Sequence, residues 1–335
     1  MRITVIGGGA IGSIVAGFLA KQGANVLLVA KPEQVQAIDR QGLTIRRAEG
    51  QERIPVKAAT ALNGRYDLVI FTVKTQDIDE AYQQNHEFLE DSSLILTTQN
   101  GVQADNILSC HFDRDQMISS IVMFGATYIN PGEVTYNFPG DWIMGKPYAP
   151  NDQQVWDIEA VFKKSFSVVV TDQITGMKWL KLFVNFNNCI PALIGKSMQE
   201  TFADLDFCRL SVLLLQEGVR VVQNAGIELV SLPQFPVDRI LGLSKMPVEQ
   251  AAGIMNKTLT GLSKEPLYGS ILQSILRKRT SEIDFINGEV ASVAASISMS
   301  SPLNRKVVEL VHQVETEGRF LDPQKVKQEF GLNSN

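Results

Sequence analysis

RITVIGGGAIG, residues 2–12, decides the architecture of the first half of this chain. Residues 2–6 are a short β-rich run that feeds directly into Gly7-Gly8-Gly9-Ala10-Ile11-Gly12, and residues 13–22 carry an apolar stripe at helical spacing. Strand, tight turn and helix follow one another, so Gly7, Gly9 and Gly12 make a G-x-G-x-x-G in the context that motif needs. The first glycine serves the turn, the second lets a pyrophosphate come close to the backbone, and the third lets the helix pack on the strand. The reading is a dinucleotide-binding unit; a glycine turn with a merely structural role is the alternative.

Moving outward, a second strand at 25–30 ends in Val29-Ala30-Lys31. An NAD site usually places Asp or Glu there to accept from the ribose 2′-hydroxyl, whereas a cation suits a 2′-phosphate. NADP(H) is therefore the expected cofactor, the other reading of Lys31 being an exposed loop residue. Residues 42–46 and 54–58 are expected to pair as a short hairpin. YDLVIFTV at 66–73 is nearly continuous in apolar residues, as befits a parallel strand covered on both faces. It breaks at Lys74-Thr75-Gln76. A helix near 78–89 and another buried strand at 93–98 follow, and that strand breaks at Gln99-Asn100-Gly101. Ligands of open α/β sheets bind at the carboxyl ends of the strands, so Lys74 and Asn100 point to the cofactor's crevice. An ordinary Asn-Gly turn and a helix start would explain the same letters.

Residues 117–128, 134–138 and 142–144 read as antiparallel strands around a Pro131-Gly132 turn, with a helix at 152–164 and a last strand at 167–171. From residue 174 long helical patterns take over, notably 205–225, 267–294 and 302–317. The expected division is a cofactor domain at 1–172 and a helical substrate domain at 173–335, with residues 332–335 frayed.

Bulk properties agree with two cores. The chain has 335 residues, 44% hydrophobic and 20% charged, with a net charge of −5; it is longer than single cores usually grow. That charge argues against a broad nucleic-acid or membrane-surface footprint. Cys110, Cys189 and Cys208 are scattered, and the histidines are His86, His111 and His312, so no metal site is expected. Sparse cysteines suit a reducing cytoplasm, with the thiols as small core residues. Trp142, Trp156 and Trp179 are read as core residues too. No signal segment and no long apolar span is visible.

The helical half opens with GMKWLKLFVNFNN at 176–188. In a helix Lys181 and Asn185 lie four apart on one face, a cation beside an amide. Further on, Glu282 falls twelve residues after Ser270, a spacing that would put both on one edge of a continuous helix. An acid, a hydroxyl, a lysine and two asparagines can hold a keto acid and protonate its oxygen.

At this point the chain resembles the ketopantoate reductase family over nearly its whole length. The resemblance is carried by GGGAIG at 7–12, VKTQ at 73–76, QNG at 99–101, PGEV at 131–134, WLKLFVN at 179–185 and SEIDFING at 281–288. It implies a Rossmann-type α/β domain followed by an all-α domain, as in 6-phosphogluconate-dehydrogenase-like folds, and NADPH-dependent reduction of 2-dehydropantoate to pantoate. It further implies that Lys181 donates the proton, that Asn100, Asn185, Asn188 and Ser270 bind substrate, and that Gly7 to Gly12, Lys31, Lys74 and Asn100 bind cofactor. Glu282 would hold the active-site geometry or the cofactor. The partners implied are a small 2-keto acid and, as candidate protein partner, a second copy of the chain; nucleic acid and membrane are not.

The chain departs from the family's pattern in one region. A second substrate asparagine usually follows the first by four residues, yet the fourth residue after Asn185 is Cys189, with Asn188 and Pro191 out of step. Either a local irregularity restores Asn188 or that contact is missing. Leu267 also stands where the family often has an asparagine. Such a pocket would suit a more apolar 2-keto acid. A β-hydroxyacid dehydrogenase, which would leave Ser270 and Glu282 without a role, and an NADP(H)-binding sensor remain the alternatives.

Overall fold

The structure, a computed structural model, describes residues 1–89 and 93–332; residues 333–335 of the end expected to fray lie outside them. The chain divides into two compact units, Met1–Thr175 and Gly176–Asn335.

The first unit opens with β1 (Arg2–Ile6), α1 (Ala10–Lys21), β2 (Asn25–Val29) and α2 (Pro32–Gln41). A hairpin of β3 (Leu43–Arg47) and β4 (Gly50–Ile54) comes next, then β5 (Lys57–Ala59), β6 (Leu68–Phe71), α3 (Ile78–Asn85), β7 (Leu94–Thr97) and α4 (Gln103–Leu108). The unit closes with β8 (Met117–Val122), β9 (Gly125–Asn130), β10 (Glu133–Phe138), β11 (Asp141–Gly145), α5 (Gln153–Phe162) and β12 (Ser167–Val170).

Eight strands form one sheet in the order β12-β11-β8-β7-β6-β1-β2-β5. Neighbours run parallel except β8 and β11, which are antiparallel. The run expected to be buried on both faces is so: Leu68 and Ile70 of β6 join one apolar cluster, and Val69 and Phe71 join the cluster on the other face. A smaller sheet, β4-β3-β10-β9, joins two antiparallel hairpins through a parallel β3/β10 pair.

Three local expectations need correction. Residues 54–58 are not one hairpin strand, because Pro55 has no N–H to give to a ladder; β4 ends before it and β5 begins after it, pairing with β2 in the larger sheet. Residues 117–128 are two strands, β8 in the large sheet and β9 in the small one. Cys110 and Trp156 are exposed, while Cys189, Cys208, Trp142 and Trp179 are buried as expected.

Among its described residues the regular elements of the second unit are helices, with one isolated β-bridge between Leu232 and Phe235. Helix α6 (Ile174–Asn185) leads through a 3-10 turn (Phe186–Asn188) into α7 (Cys189–Ile194), α8 (Met198–Phe202) and the long α9 (Leu205–Asn224). Then come α10 (Val237–Lys245), α11 (Val248–Thr260), α12 (Ser270–Leu276), a 3-10 turn (Ile283–Phe285), α13 (Asn287–Ser296), α14 (Pro302–Glu317) and α15 (Pro323–Glu329). Helix α9 carries much of the core through Phe207, Leu210, Leu214 and Val221. Its buried Glu217 also caps α14: the carboxylate accepts from Ser301 Oγ at 2.9 Å and from the Asn304 and Leu303 amides at 2.8 and 3.1 Å. Those bonds satisfy helix-end donors that would otherwise be orphaned.

The long pattern at 267–294 is not one helix. Helix α12 ends at Leu276, and Lys278, two residues on, has a left-handed φ of 53°. The Lys278 amide bonds the Ile275 carbonyl at 2.8 Å and the Arg279 amide bonds the Ser274 carbonyl at 3.0 Å, a Schellman closure that satisfies the last carbonyls.

Candidate active site

In the first unit the glycine turn closes over the end of β6. Gly7 has φ +120°, and a Cβ there would come within 2.6 Å of the Val73 nitrogen. The Thr72 hydroxyl donates to the Gly7 carbonyl at 2.8 Å. At Gly12 a Cβ would lie 1.9 Å from the Gly7 carbonyl oxygen, so α1 can approach the turn this closely only with glycine. At Gly8 it would meet the Ala30 side chain at 2.4 Å, which sets the turn against the end of β2, next to the exposed Lys31. Gly9 differs from these, since a Cβ there meets no atom within 4 Å.

Gly9 is also the N-cap of α1, leaving the amides that begin at Ala10 and Ile11 without a side-chain cap or an acidic residue in the first turn. Unpartnered helix-start amides and the positive end of the helix dipole suit a phosphate. The cradle therefore fits a dinucleotide: Gly7, Gly8 and Gly12 are required by the protein's own atoms, and Gly9 leaves an open approach.

Lys74 and Asn100 follow β6 and β7, the two strands that succeed β1 in the sheet order. Chain order reverses around β1, with β2 on one side and β6 on the other, and this is where open α/β sheets bind ligands. Both side chains are half-buried. A residue without an assigned role ties their loops together: the Gln99 amide donates to the Phe71 and Val73 carbonyls at 2.9 and 2.8 Å, and its oxygen accepts from the Thr98 amide at 3.0 Å. Gly101 follows at φ +80°. A second buried glutamine, Gln34, does the same for α1 and α2. It donates to Ser13 Oγ at 3.1 Å and accepts from the Gly132 amide at 2.7 Å. Gln99 was visible in QNG, whereas no short-range signal marks Gln34.

In the second unit Lys181 is half-buried on α6, one turn after the buried Lys178. Burial, helped by the Lys178 charge, lowers the Lys181 ammonium from the usual lysine range to about 8, while Glu282 pulls in the opposite direction. Lys181 and Glu282 thus share one electrostatic neighbourhood. The KWLK spacing is the sequence signal for Lys178, three residues before Lys181 on the same helix face.

Glu282 does not reach that neighbourhood along a helix edge shared with Ser270, because α12 has already closed at Lys278. Its segment is held instead by α14. The Ser281 amide donates to Glu315 Oε1 at 2.7 Å, and His312 bridges Asp284 Oδ1 at 2.9 Å and Glu315 Oε2 at 3.2 Å. Burial disfavours the imidazolium, but Asp284 and Glu315 outweigh it and raise the His312 pKa.

The displaced asparagine is explained by the end of α6. Asn185 is its last residue, and the 3-10 turn Phe186–Asn188 follows at three residues per turn. Asn188 therefore falls on the face of Asn185, as a residue four further on would in a regular helix. Asn187 accepts a hydrogen bond from the Ser211 hydroxyl. Cys189 is buried, donates to the Phe186 carbonyl at 3.0 Å, and burial pushes its thiol up to about 12. Asn188 lies against Gly269, immediately before the exposed Ser270 that starts α12.

The first unit thus carries Gly7 to Gly12, Lys31, Lys74 and Asn100 at one sheet edge, and among the helices Lys181 shares a neighbourhood with Glu282 while Asn188 lies against Gly269, the residue before Ser270. Among the described residues no His, Cys, Asp and Glu are grouped to hold a metal, and no helix is long and apolar enough to cross a membrane.

A doubly wound sheet with a glycine turn at its switch point, followed by an all-α unit, is the architecture of a dinucleotide-binding α/β protein with a helical second unit. The chain belongs to the ketopantoate reductase family: residues 3–148 match ketopantoate reductase PanE/ApbA and residues 173–315 match its C-terminal part. It is 29% identical over 324 residues to a 2-dehydropantoate 2-reductase of Pyrococcus horikoshii, covering 95% of this chain and 99% of the relative. A 2-dehydropantoate 2-reductase of Halobacterium salinarum is 25% identical over 323 residues, 95% of this chain and 100% of the relative. Among solved structures, the PanE/ApbA family ketopantoate reductase from Ralstonia eutropha JMP134 superposes with a TM-score of 0.80 at 25% identity, covering 95% of this chain and 99% of that one. D-mandelate dehydrogenase with NADH and anilino(oxo)acetate shares the fold, with a TM-score of 0.82 at 20% identity and coverage of 95% and 99%.

Proposed function

We propose that this protein reduces a 2-keto acid with NADPH, and that the substrate is 2-dehydropantoate, converted to pantoate in the cytoplasm for pantothenate biosynthesis. Relatives named 2-dehydropantoate 2-reductase along nearly the whole chain support the substrate. The observation that carries the chemistry is the placement of Lys181 on α6, one turn after the buried Lys178 and within the electrostatic reach of Glu282, where burial lowers its pKa to about 8.

In this reading residues 1–172 form the cofactor domain and residues 173–335 the substrate domain. The backbone from Gly7 to Gly12 binds the pyrophosphate, Lys31 the 2′-phosphate, and Lys74 and Asn100 complete the cofactor's surroundings. NADPH, when bound, would supply the hydride for the keto carbon. Lys181 stabilises the charge that grows on the keto oxygen and gives it a proton, leaving the 2-hydroxy acid. A donor titrating near 8 is protonated at neutral pH and releases its proton more readily than an ordinary lysine, which is what a general acid needs. Glu282 keeps the ammonium charged until then. Asn100, Asn185, Asn188 and Ser270 hold the carboxylate and the far end of the substrate.

Initial rates with NADPH and NADH across 2-dehydropantoate, 2-ketoisovalerate, pyruvate and phenylpyruvate test cofactor and substrate together. NADPH with 2-dehydropantoate should give the highest kcat/KM. A higher value with NADH, or with an apolar keto acid, would refute the corresponding half of the proposal, and no turnover with any pair would favour a sensor.

A further inference from the structure

Glu282 lies outside the α-helices, at the start of the 3-10 turn Ile283–Phe285. Its neighbours Ser281 and Ile283 are buried, and the bonds within the segment are local: the Ile283 amide donates to Ser281 Oγ at 3.3 Å and the Phe285 amide to the Glu282 carbonyl at 3.1 Å. Such bonds shape a turn without fixing it to the rest of the unit. Helix α14 supplies that attachment, and it does so through one carboxylate.

Glu315 uses both of its oxygens. Oε1 accepts from the Ser281 amide at 2.7 Å, one residue before Glu282, and Oε2 accepts from His312 Nδ1 at 3.2 Å. The other ring nitrogen of His312 donates to Asp284 Oδ1 at 2.9 Å, two residues after Glu282. Ionised carboxylates only accept, so both ring nitrogens are donors and the bridging ring is an imidazolium. Burial opposes that charge, but Asp284 and Glu315 outweigh it. One glutamate of α14 therefore brackets Glu282 from both sides.

The place of Glu282 matters because its effect on Lys181 is electrostatic. Burial and Lys178, on the same helix, work against the Lys181 ammonium, and Glu282 works for it. An interaction between charges weakens as they separate, so a Glu282 free to swing away would give less of this support. We propose that Glu315 is a positioning residue for the reaction: by holding Ser281 directly and Asp284 through His312, it keeps the Glu282 carboxylate where it serves Lys181. The inference rests on the 2-keto acid reading above and deepens it. Glu315 acts through Glu282 and not on the reacting atoms.

The pH dependence of kcat reads this arrangement, with NADPH and 2-dehydropantoate as the substrates. In the unaltered protein kcat should fall as pH rises through about 8. Glu315→Met removes both bonds of the bracket and should move that fall to lower pH by about half a unit or more. Glu315→Gln keeps an acceptor for the Ser281 amide and should return most of the shift. In a Glu282→Gln background, adding Glu315→Met should move the fall no further, because Glu315 acts through Glu282. A profile that Glu315→Met leaves in place, or a shift that persists in the Glu282→Gln background, would overturn the proposal. Should Glu315→Met fail to fold, His312→Leu carries the test: it frees the Asp284 side alone and should give a smaller shift in the same direction, and no shift would again overturn the proposal. If the unaltered protein shows no turnover, or no fall near that pH, the reading of Lys181 itself fails and this inference falls with it.

Discussion

The glycine turn of the first unit and the lysine corner of the second are made of different material. The first is backbone: six consecutive residues whose carbonyls, amides and missing Cβ atoms shape a cradle at the end of β1. The second, as proposed, is side chains drawn from separate places, Lys181 and Asn185 from α6, Asn188 from a 3-10 turn, Ser270 from α12 and Glu282 from a segment tied to α14. A backbone site is written in one stretch, because its glycines are consecutive or nearly so and all but Gly9 have a steric reason in the protein's own atoms. A side-chain site is written in the way helices pack, so each residue depends on contacts far along the chain.

The contrast breaks most readily inside the cradle itself. Gly12→Ala would drive a Cβ to 1.9 Å from a backbone oxygen that cannot turn aside; a loss of about 3 kcal/mol in denaturant unfolding is expected. Gly9→Ala meets nothing in the protein, so stability should stay within about 0.5 kcal/mol. Titration with NADPH should nevertheless show binding weakened about tenfold or more, because the alanine enters the phosphate's approach. Similar stability losses in the two variants would mean that Gly9 is structural.

The lysine corner is tested by pH. Lys181 donates while protonated, so kcat should fall as pH rises through about 8. Glu282→Gln removes the charge that raises the Lys181 pKa and should move that fall to lower pH; Lys178→Met removes a charge that lowers it and should move the fall upward. Opposite shifts in a pH–rate profile would tie all three residues to one site, and a profile indifferent to both would separate Lys181 from the proton step.

Smaller effects are expected at the margins of each site. Lys31→Ala should weaken NADPH by about tenfold while leaving NADH nearly unchanged, if the exposed ammonium meets the 2′-phosphate; equal weakening of both cofactors would remove that role. His312→Gln probes the clamp on Glu282. The His312 pKa is raised in the folded protein, so its stabilising effect is complete below the ordinary histidine range and is lost as pH rises through the raised value. The variant should therefore melt a few degrees lower at about pH 5 and like the original protein at about pH 9. The same deficit at both values would show a role in shape alone.

The same contrast explains which features were legible in the sequence. The strand-turn-helix of residues 2–21 and the two-faced strand β6 follow from local patterns, and both formed where those patterns placed them. A hydrophobic pattern does not show where a helix stops. In 267–294 the apolar spacing continued past Lys278, where the chain takes a left-handed turn and closes α12. That break removed the expected shared edge of Ser270 and Glu282, and two bonds from α14 to the 281–284 segment, Glu315 to the Ser281 amide and His312 to Asp284, took its place. The shift at Asn188 was visible as a spacing fault. Its remedy was not, because the 3-10 turn and the space at Gly269 come from segments far apart in the chain.

The most direct test of the account joins the two halves of its chemistry in one protein, Lys181→Ala. Initial rates with NADPH and 2-dehydropantoate, measured beside a direct titration of NADPH, should show kcat reduced by about 10²–10⁴-fold with the cofactor's Kd changed by less than about threefold. A rate that survives the substitution would contradict the assignment of Lys181 as the proton donor.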